Sequence, residues 1–138
     1  VLLGLKVDTE KAMLMAAVHD AGKSVVVQEL STPGMLHETA GAQIAEQLGV
    51  PPWISKICAS HSADSPENLD MEEIAVRLAD KLWKGKRDAE FEKQAIKGFS
   101  SILNLDEWRI FMELDRVFQS IADMGHERLE STRALPDA

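Results

Sequence analysis

The sequence holds a single cysteine, Cys58, so no disulfide can form within the chain. A lone thiol in the apolar stretch 53–59 reads as a buried packing residue. The missing disulfide framework points to an intracellular, cytoplasmic setting. Long apolar runs are missing too. No stretch approaches the ~20 residues that a membrane-spanning helix needs. Lys6, Asp8, Glu10 and Lys11 interrupt the start too early for a signal peptide. Positive charge is scarce: 15 Lys and Arg stand against 23 Asp and Glu, for a net charge of -8. That imbalance disfavours broad binding to nucleic acid or to an anionic membrane, because nothing steers the chain towards a polyanion. Internal repeats, low-complexity segments and strand signals are absent. Val25, Val26 and Val27 form the one β-prone run, too short to found a sheet.

What is present is an ordinary globular balance. The 138 residues are 45% hydrophobic and 28% charged, enough for one domain over 1–138 with a real core. The chain opens on Val1 rather than Met and is expected to be a fragment or a processed chain.

Helix signals dominate. Asp8 is a natural N-cap for a helix over about 8–20, whose interior from Ala12 to Val18 is apolar all round. Such a helix is expected at the centre of the fold, with Gly22 ending it. A loop over 21–34 leads to a second helix over about 36–48, stopped by Gly49. Pro51 and Pro52 open a third helix that runs to about His61. A polar loop follows over 62–70. Asp70 with Glu73 makes a capping box for a fourth helix to about Trp83. Lys84, Gly85, Lys86 and Arg87 break the chain before a fifth helix over about 88–98. The last helix, about 106–129, places Trp108, Phe111, Met112, Leu114, Val117, Phe118, Ile121 and Ala122 largely on one stripe. A polar, frayed tail is expected over 131–138. The expected fold is all-α, a single compact bundle of about six short helices.

Several ligand-type side chains fall at helix ends or on apolar faces. His19 and Asp20 are adjacent at the end of the apolar helix. A carboxylate there is costly unless something pairs it, and a divalent cation would do so. His37 begins the second helix and His61 ends the third. Asp80 lies late in the fourth among Val76, Leu78, Ala79 and Leu82. Helical bundles build metal sites from such facing positions. Taken singly, each histidine reads more often as a satisfied core or surface residue than as a ligand, and Asp80 as an ion-pair partner inside its helix. His126, beside Gly125, reads as a surface or structural residue. Glu38 reads as an exposed first-turn glutamate favoured by the helix dipole, or as a group supporting His37. Trp53 and Trp83 read as core anchors.

His19-Asp20-Ala21-Gly22-Lys23 resembles the defining motif of the HD-domain superfamily of metal-dependent phosphohydrolases. Later elements match in order: His37 in Leu36-His37-Glu38-Thr39-Ala40-Gly41-Ala42, His61 after an apolar helix, and Asp80 in Leu78-Ala79-Asp80-Lys81-Leu82. The resemblance covers about residues 8–87. The family pattern also has a histidine upstream of the motif, and no histidine precedes His19 in this chain.

The resemblance implies a site for one or two divalent metal ions, with Mn, Mg, Ni, Co and Fe all open. His19, Asp20 and Asp80 would hold one ion with the upstream histidine. Asp20, His37 and His61 would hold the second, with Asp20 bridging. The implied reaction is hydrolysis of a small phosphorylated substrate, a nucleotide or other phosphate ester, by a metal-activated water. Asp20 and Lys23 are the implied catalytic side chains. Lys23 would contact phosphate as a point charge, or stand as a solvated loop residue. Lys81, Lys84, Lys86 and Arg87 form the one dense basic patch. It is a candidate for binding the substrate's phosphate, or a solvated helix end that complements the helix dipole.

Two other functions fit the same pattern. Relatives with two irons cleave carbon bonds with oxygen, and histidine-rich ligation suits iron. A domain lacking one histidine also fits a non-catalytic binding module, whose long last helix could pack on a partner or on a second copy in a homodimer. Specificity is expected to reside in the loop 63–69 and the final helix.

Overall fold

Asp8, Asp70, Asp88 and Asp106 each stand before a helix and accept its first free amides. Their partners are the backbone N–H groups of Lys11 (3.0 Å), Glu73 (2.9 Å), Phe91 (3.0 Å) and Trp108 (3.0 Å). At Asp70 the capping box is complete, because Glu73 Oε2 accepts in return from the Asp70 N–H at 3.0 Å. These side chains sit in a computed structural model that describes residues 7–61 and 69–133.

The chain is all-α. In order the helices are α1 (Thr9–Val18), α2 (Leu36–Gln47), α3 (Pro52–Ser60), α4 (Met71–Trp83), α5 (Ala89–Leu103), α6 (Glu107–Asp123) and α7 (Gly125–Arg133). Short 3-10 turns at Ala21–Ser24 and Val27–Leu30 lie between α1 and α2. No strand occurs among the described residues, and none of their helices is long and apolar enough to cross a membrane. Residues 62–68, which hold all but Leu69 of the loop 63–69 expected to carry specificity, and residues 134–138 of the tail lie outside the described residues.

The described residues group into two units, 7–61 and 69–133. In the first, α2 packs on α3 and on the first 3-10 turn, and α1 packs on α3. Met15, Ala45, Ile54, Ile57 and Cys58 are buried there, Cys58 as expected. In the second, α4 packs on α5, α6 and α7. Its buried residues include Ile74, Leu78, Leu82, Phe91, Phe99, Ile110 and Phe118. Each such side chain stabilises the fold by about 1.5–3 kcal/mol through the apolar surface it removes from water.

Several expectations need correction. α1 is not a buried central helix. Met15 is fully buried, but Met13 is 68% exposed and Leu14 is also exposed. α1 is a one-sided helix whose outer face happens to be apolar. Its end is set by His19 rather than by Gly22. α5 runs past Gly98 to Leu103, because Asn104 supplies the left-handed residue that ends it, with φ 51°. Gly98 stays helical beside the Ile74 side chain.

The last expected helix is two helices parted at Met124. Gly125, the first residue of α7, sits so close to Gly85 that a Cβ on it would strike Gly85 backbone atoms. α7 then continues through residues 131–133, which were expected to fray. The apolar stripe of α6 is also not one buried face. Ile110, Phe118 and Ala122 are buried, while Trp108, Phe111, Met112 and Val117 are exposed. Trp83 is no core anchor: it is 54% exposed, and the Arg128 guanidinium covers its ring at 4.4 Å from the centroid. Trp53 is half-buried, with the Lys11 ammonium 5.8 Å from its ring centre.

Candidate metal centre

The site begins with a turn that only glycine permits. α1 ends at Val18, and Asp20 leads into the 3-10 turn Ala21–Ser24. This turn lies against the start of α2. A Cβ on Gly22 would collide with the carbonyl of His37 and come within 2.6 Å of the Gly41 nitrogen. The glycine is needed for close approach, not for an unusual φ, since its φ is not positive. That approach brings the His19-Asp20 pair of α1's end beside His37 of α2. His61, just past α3, completes the group.

Three imidazoles then converge on one carboxylate. His37 Nε2 and His61 Nε2 each lie 3.3 Å from Asp20 Oδ1, and 3.2 Å from one another. His19 Nε2 lies 3.5 Å from Asp20 Oδ2. The His19 and His61 rings meet edge to face with centroids 4.9 Å apart.

The far side of each ring fixes which nitrogen carries the proton. His19 Nδ1 lies 2.7 Å from the Ala16 carbonyl oxygen, His61 Nδ1 lies 3.3 Å from the Cys58 carbonyl oxygen, and His37 Nδ1 lies 2.5 Å from Glu29 Oε2. Carbonyl and carboxylate oxygens only accept, so each Nδ1 donates. In the neutral rings the Nε2 lone pairs therefore face inward. Glu29 is held as a carboxylate. Desolvation raises its pKa, but hydrogen bonds from the His37 ring, the His37 N–H and the Leu36 N–H bring it below the usual value.

Asp20 is likewise held ionised. Burial raises its pKa, and the Lys23 ammonium is among the groups that bring it far below the usual carboxylate range. Lys23 Nζ donates to Asp20 Oδ2 at 2.7 Å. Oδ1 is different: it is buried, and no hydrogen bond of good geometry reaches it. Buried carboxylate oxygens in that position call for a cation.

The donors fit a divalent ion. Bonds of ~2.0–2.2 Å at roughly 90–110° hold nitrogen and oxygen donors about 2.8–3.6 Å apart. The 3.2 and 3.3 Å edges of the His37, His61 and Asp20 triangle fall in that range. His19, Asp20 and His61 form a second grouping whose ligand atoms lie within 4.8 Å of one another.

Asp80 belongs to the other unit, on α4, where its Oδ2 accepts from Lys84 Nζ at 2.7 Å. Lys81 donates to Asp88 at 2.5 Å, and Arg87 forks onto both oxygens of Glu92 and also reaches Asp115. The positive charge of Lys81, Lys84 and Arg87 is thus matched by neighbouring carboxylates. His126 is exposed beside Glu130, as expected. Glu38 is not the exposed first-turn residue: it is 6% exposed, and its Oε1 lies 3.8 Å from His61 Nδ1.

Glu29 is a residue of the cluster that the sequence does not announce. It lies in the expected loop, with no motif around it. The sequence carries a weak signal for it: Met35, immediately before α2, offers no capping side chain, so the cap has to come from elsewhere.

No curated protein and no solved structure matches the chain. A family model described as HD domain matches residues 2–83. The match spans the His19-Asp20 pair, His37, His61 and Asp80. The family is mostly metal-dependent hydrolases that bind divalent ions, and the cluster has the donor set such ions take. The chain belongs to the HD domain family.

Proposed function

We propose that this protein is a metal-dependent phosphoric ester hydrolase acting on a nucleotide or another small phosphate ester. The observation that carries the reading is the convergence of three inward-facing imidazole Nε2 atoms on Asp20, whose buried Oδ1 has no well-formed hydrogen bond. His37, His61 and Asp20 Oδ1 would hold one divalent ion, and His19 with Asp20 Oδ2 would contribute to a second. When bound, such ions supply a water activated near neutral pH and offset charge on the phosphoryl oxygens.

The chain's own residues do the rest. The Nδ1 anchors at Ala16, Glu29 and Cys58 keep the rings turned inward, so little reorganisation accompanies the reaction. Lys23 helps hold Asp20 as an anion through its hydrogen bond to Oδ2, and its ammonium can pass from that carboxylate to a substrate phosphate.

The test is elemental analysis of the purified protein, followed by a phosphate-release screen with Mn, Mg, Ni, Co and Fe. The substrates are p-nitrophenyl phosphate, its bis-ester and the common nucleotides. The expected result is bound metal with release that His19→Ala abolishes. Equal activity in that variant overturns the reading, as does silence with every metal. Two irons with oxygen-dependent turnover would favour carbon-bond cleavage instead.

A further inference from the structure

We propose that Glu29 is a positioning residue for this site: one carboxylate caps α2 and fixes the orientation and tautomer of His37. The proposal rests on the metal reading of the cluster. Glu29 Oε1 accepts from the Leu36 N–H at 3.0 Å. Oε2 accepts from the His37 N–H at 3.0 Å and from His37 Nδ1 at 2.5 Å. The residue at the N-cap position of α2, Met35, offers no side-chain acceptor, unlike Asp8, Asp70, Asp88 and Asp106 at their helices. The helix start is therefore capped across eight residues of sequence rather than locally.

This geometry does two things at once. The same oxygen that holds the helix backbone at His37 also holds its ring, so backbone and side chain are fixed together. The hydrogen bond commits the proton to Nδ1 and turns the Nε2 lone pair towards Asp20 Oδ1 and His61 Nε2. Glu29 itself comes from the 3-10 turn Val27–Leu30, which packs on the Ala21–Ser24 turn. The segment that follows the His19-Asp20 pair thus carries the brace for the next histidine. A carboxylate on the outer nitrogen also raises the donor strength of the inner one, which a backbone carbonyl does less well.

The experiment uses the whole chain as wild type, Glu29→Ala, Glu29→Gln and Gly49→Ala. The last is a control at the other end of α2, where φ is +66° and the added methyl meets open space. Nitrogen-15 NMR of the metal-free protein at a pH where His37 is neutral reads its tautomer, and titration with Mn reads affinity. The wild-type ring is expected to be protonated on Nδ1. Glu29→Ala should shift it towards the Nε2-protonated form and weaken Mn binding about 10- to 100-fold. Glu29→Gln should keep the fold, since the amide oxygen still accepts one hydrogen bond, yet weaken Mn binding. Gly49→Ala should lower the melting temperature and leave Mn affinity unchanged.

An unchanged His37 tautomer in Glu29→Ala overturns the proposal. Wild-type Mn affinity in both Glu29 variants does so equally, as does an affinity loss in Gly49→Ala as large as theirs. A wild-type protein that binds no divalent ion defeats the metal reading instead, and the tautomer measurement then decides the role of Glu29 alone.

Discussion

Gly22 and the carbonyl of His37 are in such close contact that no side chain fits between them. Gly22→Ala must therefore push α2 away from the turn that follows Asp20. The expected cost is about 1–3 kcal/mol from overpacking against backbone atoms that cannot step aside. Gly41→Ala, whose added methyl would meet its nearest atoms at 3.2 and 3.3 Å, should cost less. Urea unfolding of the two variants gives the order. A Gly22→Ala protein as stable as wild type would show that the contact is not constraining.

Among the described residues, Asp20 is the one carboxylate that meets all three imidazoles of the cluster. Saturating divalent ion should raise the melting temperature of the wild type. At one hundred times the dissociation constant the gain is about 2.7 kcal/mol, a rise of several degrees for a chain of this size. Asp20→Ala should lose that rise, and a chelator should return the wild type to the metal-free value. An equal thermal shift in Asp20→Ala would place the ion elsewhere.

Asp88 makes the stability of the fold depend on pH. Its carboxylate accepts from Lys81, which lowers its pKa most, and from the Phe91 N–H, which lowers it further; desolvation opposes both. A carboxyl whose pKa is lower folded than unfolded stabilises the fold above its unfolded pKa. That contribution is lost as pH falls from about 4 through the folded value. Asp88→Ala should cost about 1 kcal/mol near neutral pH through loss of the cap. The gap between wild type and variant should narrow as the pH is taken below about 4. A gap independent of pH would mean that the charge contributes nothing.

His126 tests specificity from the other side. It is exposed and pairs with Glu130 at 3.1 Å. His126→Ala should change stability by less than about 1 kcal/mol and leave metal content as it was. Loss of metal in this variant would contradict a site confined to the His19, His37 and His61 cluster.

Much of this architecture is legible in local sequence, because caps and stops act within a turn of the chain. Asp8, Asp70 with Glu73, and Gly49 each declare a helix boundary by chemistry that reaches four residues or fewer. The His19-Asp20 pair with His37 and His61 is legible through the order of an HD-like pattern, and the four do gather in one unit. What is hidden depends on distance along the chain. Glu29 reaches α2 from a segment that reads as featureless loop. Glu38 is buried against His61, which no helix-surface rule anticipates. The apolar interior of α1 reads as a core helix, since composition cannot say which face is left uncovered. Asn104 extends α5 past Gly98 because one left-handed residue outweighs one helical glycine.

Cys58 has a role that its burial alone does not convey. Its thiol donates to the Val18 carbonyl oxygen at 3.3 Å, and burial raises its pKa so that it keeps that proton. Its own carbonyl holds the His61 ring. One residue of α3 thus grips the last turn of α1 with its side chain and a site imidazole with its main chain. In mechanical terms α3 works as a yoke. Sliding it along α1 by even a fraction of a turn would carry His61 off Asp20, so helix register and site alignment are a single adjustment.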